Sequence, residues 1–177
     1  SNITKCCNNI VMKLDSTTVE HYINAQQYSE NIAFSLSPYI YHDLAWLDAK
    51  LAEIKQHVIL PPLAFIGDYE RYQIGDVPDL VQQYDAVYDL VKSHFSEADF
   101  FWYDYGWHCV GNIATASKPL QYAASSYFTF AEKSDFCSCD CYCLNEWDIC
   151  EQIINYTIAN SKGKKTFIFA AFGSGYT

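Results

Sequence analysis

Residues Phe100–Leu144 read FFWYDYGWHCVGNIATASKPLQYAASSYFTFAEKSDFCSCDCYCL. Four segments of this stretch are rich in aromatic and β-branched residues, the composition of strands. They are Phe100–Tyr103, His108–Thr115, Tyr122–Glu132 and Phe136–Leu144, with Tyr105-Gly106-Trp107 as a turn between the first two. Strands that follow one another without intervening helices predict an antiparallel sheet.

The residues before this stretch read mainly as helix. Asn9–Leu14 is a short strand candidate, and Thr17-Thr18-Val19-Glu20 has the form of a capping box, predicting a helix to about Ala33. Ser37-Pro38 is a cap followed by a proline at the first helical position. From there Ile40, Leu44, Leu47, Leu51, Ile54 and Val58 form one apolar stripe of an amphipathic helix. Leu63–Ile66 and Tyr69–Ile74 read as short strands, each ended by Gly-Asp. A further helix opens at Asp76 or Val77, with Val77, Leu80, Val81, Tyr84, Val87, Leu90, Val91 and Phe95 as its buried stripe.

After the strand-rich stretch, Asn145 caps a helix whose inner face is Trp147, Cys150, Ile154 and Ile158, and Gly163 fits its C-terminal stop. Thr166–Phe172 is a last, nearly all-apolar strand. The expected class is α+β. N-terminal helices pack on a mainly antiparallel sheet, with a further helix near the C-terminus. The 177 residues show no repeat and no Pro/Gly linker, so one domain over 1–177 is expected.

Half of the chain is apolar and 18% is charged, which excludes a disordered or collagen-like polymer. Net charge is −10, which argues against direct nucleic-acid or anionic-membrane binding. No apolar run approaches the ~20 residues that span a bilayer, and the first residues lack the apolar segment of a signal peptide. Residues 68–104 hold nine acids (Asp68, Glu70, Asp76, Asp79, Asp85, Asp89, Glu97, Asp99, Asp104) against Arg71 and Lys92. Most of the excess charge therefore lies in the middle fifth, where it can steer a cationic partner or simply confer solubility. Aromatics are 17% of the chain, among them 15 Tyr and 4 Trp, which suits either a large aromatic core or a binding surface.

Cys137, Cys139, Cys141 and Cys143 form a Cys-x-Cys-x-Cys-x-Cys run, beside Cys6, Cys7, Cys109 and Cys150. Thiolates at short spacing can hold zinc or copper(I), although zinc sites usually pair Cys-x(2–4)-Cys units. Eight cysteines and the sequons at Asn2 and Asn155 also allow extracellular disulfides. A third reading is a reduced, cytoplasmic protein in which the period of two lines one strand face with small apolar thiols.

The histidines are His21, His42, His57, His94 and His108, and none sits in a metalloprotease, deaminase or nucleophile-elbow motif. No phosphate-binding glycine loop is present. His108, Cys109 and Asp104 could form a cysteine-dependent hydrolase centre. Adjacent strand residues face opposite sides, however, so a base such as His42 or His57 would have to serve Cys109.

These features lead to the expectation of a non-enzymatic, cofactor-free binding protein. Asp76, Asp79, Tyr84, Asp85, Tyr88 and Asp89 are the expected charge and anchor positions. In general character the chain resembles the bacterial immunity proteins that neutralise toxins. The resemblance implies a basic, nuclease-type toxin as partner, inhibited by occlusion of its active site, in the cytoplasm. The alternatives are a thiol or metal protein using Cys137–Cys143, a cysteine hydrolase, and a DNA-mimicking anti-restriction inhibitor.

Overall fold

The computed structural model describes residues 9–15, 18–36, 43–69, 80–104, 133–141, 151–152, 154–155, 158–159, 161 and 163–170. Its elements are β1 (Asn9–Leu14), α1 (Thr18–Ala25), β2 (Asn31–Leu36), α2 (Leu44–Gln56), β3 (Ala64–Tyr69), α3 (Leu80–His94), β4 (Asp99–Asp104), β5 (Phe136–Cys141) and β6 (Lys165–Ala170). By contacts the chain falls into two compact units, Ser1–Asp68 with Val77–Phe100, and Tyr69–Asp76 with Phe101–Thr177.

The first four strands form one sheet in the order β1-β2-β3-β4. This corrects the antiparallel, α+β expectation. β1 pairs β2 in parallel, with Asn9 opposite Asn31 and Leu14 opposite Leu36. β2 pairs β3 in parallel, with Phe34 opposite Phe65 and Leu36 opposite Gly67. The sheet is parallel and carries three helices. A parallel neighbour requires a crossover, and each helix supplies one. Right-handed crossovers between sequential neighbours place every helix on the same face. Accordingly α1 packs on β1 and α2, and α2 packs on α3.

The physical cause of the difference is β2. Residues 18–33 do not form one helix: α1 stops at Ala25, and Asn31–Leu36 is a strand. Ile32, Ala33 and Phe34 are buried in succession, as expected of a strand covered on both faces. The second helix starts at Leu44, capped by the Asp43 carboxylate on the Trp46 N–H, so residues 37–42 precede it. The expected strands His108–Thr115 and Tyr122–Glu132 lie outside the described residues.

On the helix face of the first unit, Tyr22, Phe34, Phe65 and Phe95 form a chain of ring contacts at 5.3, 5.5 and 5.5 Å between centroids. Leu47, Leu51 and Ile54 of α2 and Val87 and Val91 of α3 complete this core, each fully buried. Tyr88 meets Phe100 of β4 edge-on at 5.5 Å.

At the amino ends of the strands, α1 holds the loop that precedes β3. Gln26 donates Nε2–H to the His57 carbonyl at 3.0 Å and accepts from the Ile59 N–H at 2.8 Å. Tyr22 donates its hydroxyl hydrogen to the Leu60 carbonyl at 3.0 Å. Burial of the Tyr22 phenol pushes its pKa up to about 12, because the apolar surroundings penalise the phenolate.

In the second unit β5 and β6 pair in parallel, with Cys137 opposite Thr166 and Cys141 opposite Ala170. Residues 151–152, 154–155 and 158–159 between them are helical, in keeping with the predicted helix. Gly163 has φ +79°, the left-handed conformation that a chain reversal before β6 requires. Phe136 packs edge-on against Phe101 at 6.0 Å, and Lys165 Nζ lies 5.8 Å from its ring centroid.

Candidate functional site

Two places in the first unit gather polar groups that its packing does not require. The first is the carboxyl edge of the sheet. Leu14, Leu36 and Gly67 share one level of the register. Next along the chain come Asp15, at the bend that follows β1, and Asp68 in β3. Asp15 is half-buried. The Thr18 hydroxyl donates to its carbonyl oxygen at 2.7 Å, tying the strand end to the first turn of α1.

The sequence following each strand is distinctive. After β2 come Ser37, Pro38, Tyr39 and Tyr41; β3 closes with Asp68-Tyr69, before Glu70, Arg71 and Tyr72. β4 closes with Trp102-Tyr103-Asp104, before Tyr105 and Trp107, and Tyr142 follows β5. The amino ends instead read Glu30-Asn31, Pro61-Pro62-Leu63, Ala98-Asp99 and Lys164-Lys165. Tyr and Trp thus recur in the sequence just after the strands, and ligands of open parallel sheets bind at the carboxyl ends of strands.

The second place is a shallow groove of about 580 Å³ between α2 and α3, lined by Leu44, Ala45, Asp48, Ala86, Asp89 and Leu90. His94 Nε2 lies 2.6 Å from Asp48 Oδ1 across the two helices. That pair is an ion pair only when the imidazole is protonated.

The sequence-predicted anchors distribute unevenly. Asp89 is exposed and lines the groove, while Asp85 is half-buried one turn earlier on α3. Tyr88 is turned to Phe100, with Lys92 Nζ 5.7 Å from its ring centroid, so it helps seat α3 on the sheet. Tyr84 falls within α3. Asp76 and Asp79 lie outside the described residues. Asp48 and His94 were not among the candidates. The only sequence signal for them was a position off the apolar stripe of each helix.

Cys137, Cys139 and Cys141 occupy alternate positions of β5, as the period of two predicts, while Cys143, Cys109 and His108 lie outside the described residues. Among the described residues no group of three or more His, Cys, Asp or Glu side chains could hold a metal ion. Of the candidate bases for Cys109, His57 closes α2 as its C-cap and His42 lies outside the described residues. Among the described residues, no helix is long and apolar enough to cross a membrane. No protein-family model matches the chain, and comparison with curated proteins and with solved structures likewise finds no match.

Proposed function

We propose that the protein binds a hydroxyl-rich ligand of the saccharide class at the carboxyl ends of its parallel strands, with Asp15 and Asp68 as hydrogen-bond acceptors. The location follows from fold class, by analogy with other parallel α/β proteins. The ligand class follows from the residues. Ionised carboxylates accept several hydrogen bonds from neighbouring hydroxyls, and Tyr and Trp rings offer apolar faces with polar rims. The observation that carries the reading is that Asp15 directly follows Leu14, and Asp68 directly follows Gly67, at the carboxyl end of the β1-β2-β3 register.

Calorimetric titration with a panel of soluble oligosaccharides tests it. Asp15→Asn and Asp68→Asn are each expected to weaken the binding of whichever saccharide responds by about tenfold, the cost of one charge-assisted hydrogen bond. No response to any saccharide, or a response that both substitutions leave intact, contradicts the reading.

A second reading keeps the expectation from charge. The acidic helix layer docks a basic protein partner, as an immunity protein docks a toxin, in a reducing cytoplasm. The observation that favours it is the placement of Asp48 and Asp89 on either side of the α2/α3 groove. A salt-sensitive complex with a basic protein, lost on reversing both charges, supports it. A complex indifferent to that reversal contradicts it.

A further inference from the structure

We propose that the α2/α3 groove receives a cationic amphipathic helix presented by a protein partner. The inference rests on the second reading above and names its ligand. The groove floor is apolar, formed by Leu44, Ala45, Ala86 and Leu90. Leu44 is 37% exposed, more than a side chain serving only the core. Ala45 and Ala86 are too short to fill the space between the helices, so ridges of a third helix can enter it.

Charge selects the occupant. Asp48 stands on the α2 side, its side chain 59% exposed despite its contact with His94. Asp89 stands exposed on the α3 side. Asp85 extends the acidic α3 side by about one turn toward the helix N-terminus. Lys50 and Lys92 lie on the same two helices. Lys50 Nζ bonds Glu53 Oε2 at 2.7 Å, and Lys92 Nζ donates to the Ala98 carbonyl at 2.6 Å. An apolar strip flanked by Asp48 on one side and by Asp85 and Asp89 on the other complements a helix whose apolar stripe is bordered by Lys or Arg. The same carboxylates repel anionic lipid and nucleic acid.

Three labelled peptides of about 20 residues, long enough to span the groove, test this by fluorescence anisotropy. One is an amphipathic Lys/Leu helix, one a Lys/Ser peptide of equal charge, and one a Glu/Leu helix. The Lys/Leu peptide is expected to bind at least about tenfold more tightly than either other peptide, and to weaken steeply as salt rises. Asp48→Lys with Asp89→Lys, and separately Ala45→Gln, are each expected to weaken it by about tenfold. Ala45 is exposed, so its variant fills the groove without touching the core, and an unchanged circular dichroism melt confirms the fold. Equal binding of the Lys/Leu and Lys/Ser peptides, or indifference to Ala45→Gln, overturns the groove as the site while leaving charge-driven docking standing. Failure of both cationic peptides to bind overturns both.

Discussion

The Tyr22 hydroxyl donates to the Leu60 carbonyl at 3.0 Å, joining α1 to a loop 38 residues away. The loop it holds sets the height at which β3 enters the sheet, since Leu63 N–H in turn donates to the Ile32 carbonyl at 2.7 Å. Tyr22→Phe keeps the ring packing on Phe34 and leaves that carbonyl without its donor, so stability is expected to fall by about 1–2 kcal/mol in chemical denaturation.

The same residue predicts an alkaline transition. The folded chain keeps the Tyr22 proton up to about pH 12, above the ordinary value of 10.0. A group whose folded pKa is raised contributes fully below the unfolded pKa, and its contribution is lost as pH climbs to the folded one. Wild-type stability is therefore expected to decline between pH 10 and 12, and the decline is expected to be shallower in Tyr22→Phe. Denaturant midpoints measured across that range check this.

Gln26 satisfies both a carbonyl and an N–H of the same loop, at His57 and Ile59. Gln26→Leu removes both bonds from a buried position, and a loss of about 2–3 kcal/mol is expected. Amide hydrogen exchange is expected to quicken first at Ile59, whose N–H loses its acceptor.

Phe34 is fully buried between Tyr22 and Phe65. Phe34→Ala opens a cavity at the centre of the first unit and is expected to cost about 3–5 kcal/mol, a large share of the stability of a domain this size. Thermal unfolding followed by circular dichroism measures it.

Two end positions should matter less and for separate reasons. Asp43→Ala removes the cap on Trp46 N–H and is expected to cost about 1 kcal/mol. Gly163→Ala is expected to cost about 1–2 kcal/mol through its φ of +79° alone, since nothing lies within 4 Å of an added Cβ. Denaturant titration of each variant reports both values.

Much of the local structure is legible in the residues. The apolar stripe through Leu47, Leu51 and Ile54 marks α2, and the apolar and aromatic runs mark β1, β3, β4 and β6. The fold class is not, and one strand explains why. Ile32-Ala33-Phe34 is too short an apolar run for periodicity to separate strand from helix end. The cap at Thr17-Thr18 favoured continuing the helix through it. Without β2, the β-α-β alternation disappears, and with it the parallel sheet. The candidate sites are still less legible. Asp15 and Asp68 come to the end of one sheet only through the pairing of β1 with β2 and of β2 with β3, and Asp48 meets His94 across 46 residues. Such relations are set by tertiary packing, to which the spacing of residues along one element is blind.

Everything proposed for the carboxyl edge depends on strands that run in one direction. Asn9 and Asn31 are register partners and both are exposed, whereas antiparallel pairing of the same strands would set Asn9 against Leu36. Partners in a ladder lie within the roughly 4.4–6.8 Å between Cα atoms that a disulfide spans. Peptide mapping by mass spectrometry after mild oxidation should therefore find the cross-link in the Asn9→Cys, Asn31→Cys protein and not in the Asn9→Cys, Leu36→Cys protein. The opposite result, a bond between positions 9 and 36 and none between 9 and 31, contradicts the parallel sheet and the shared strand-end site built on it.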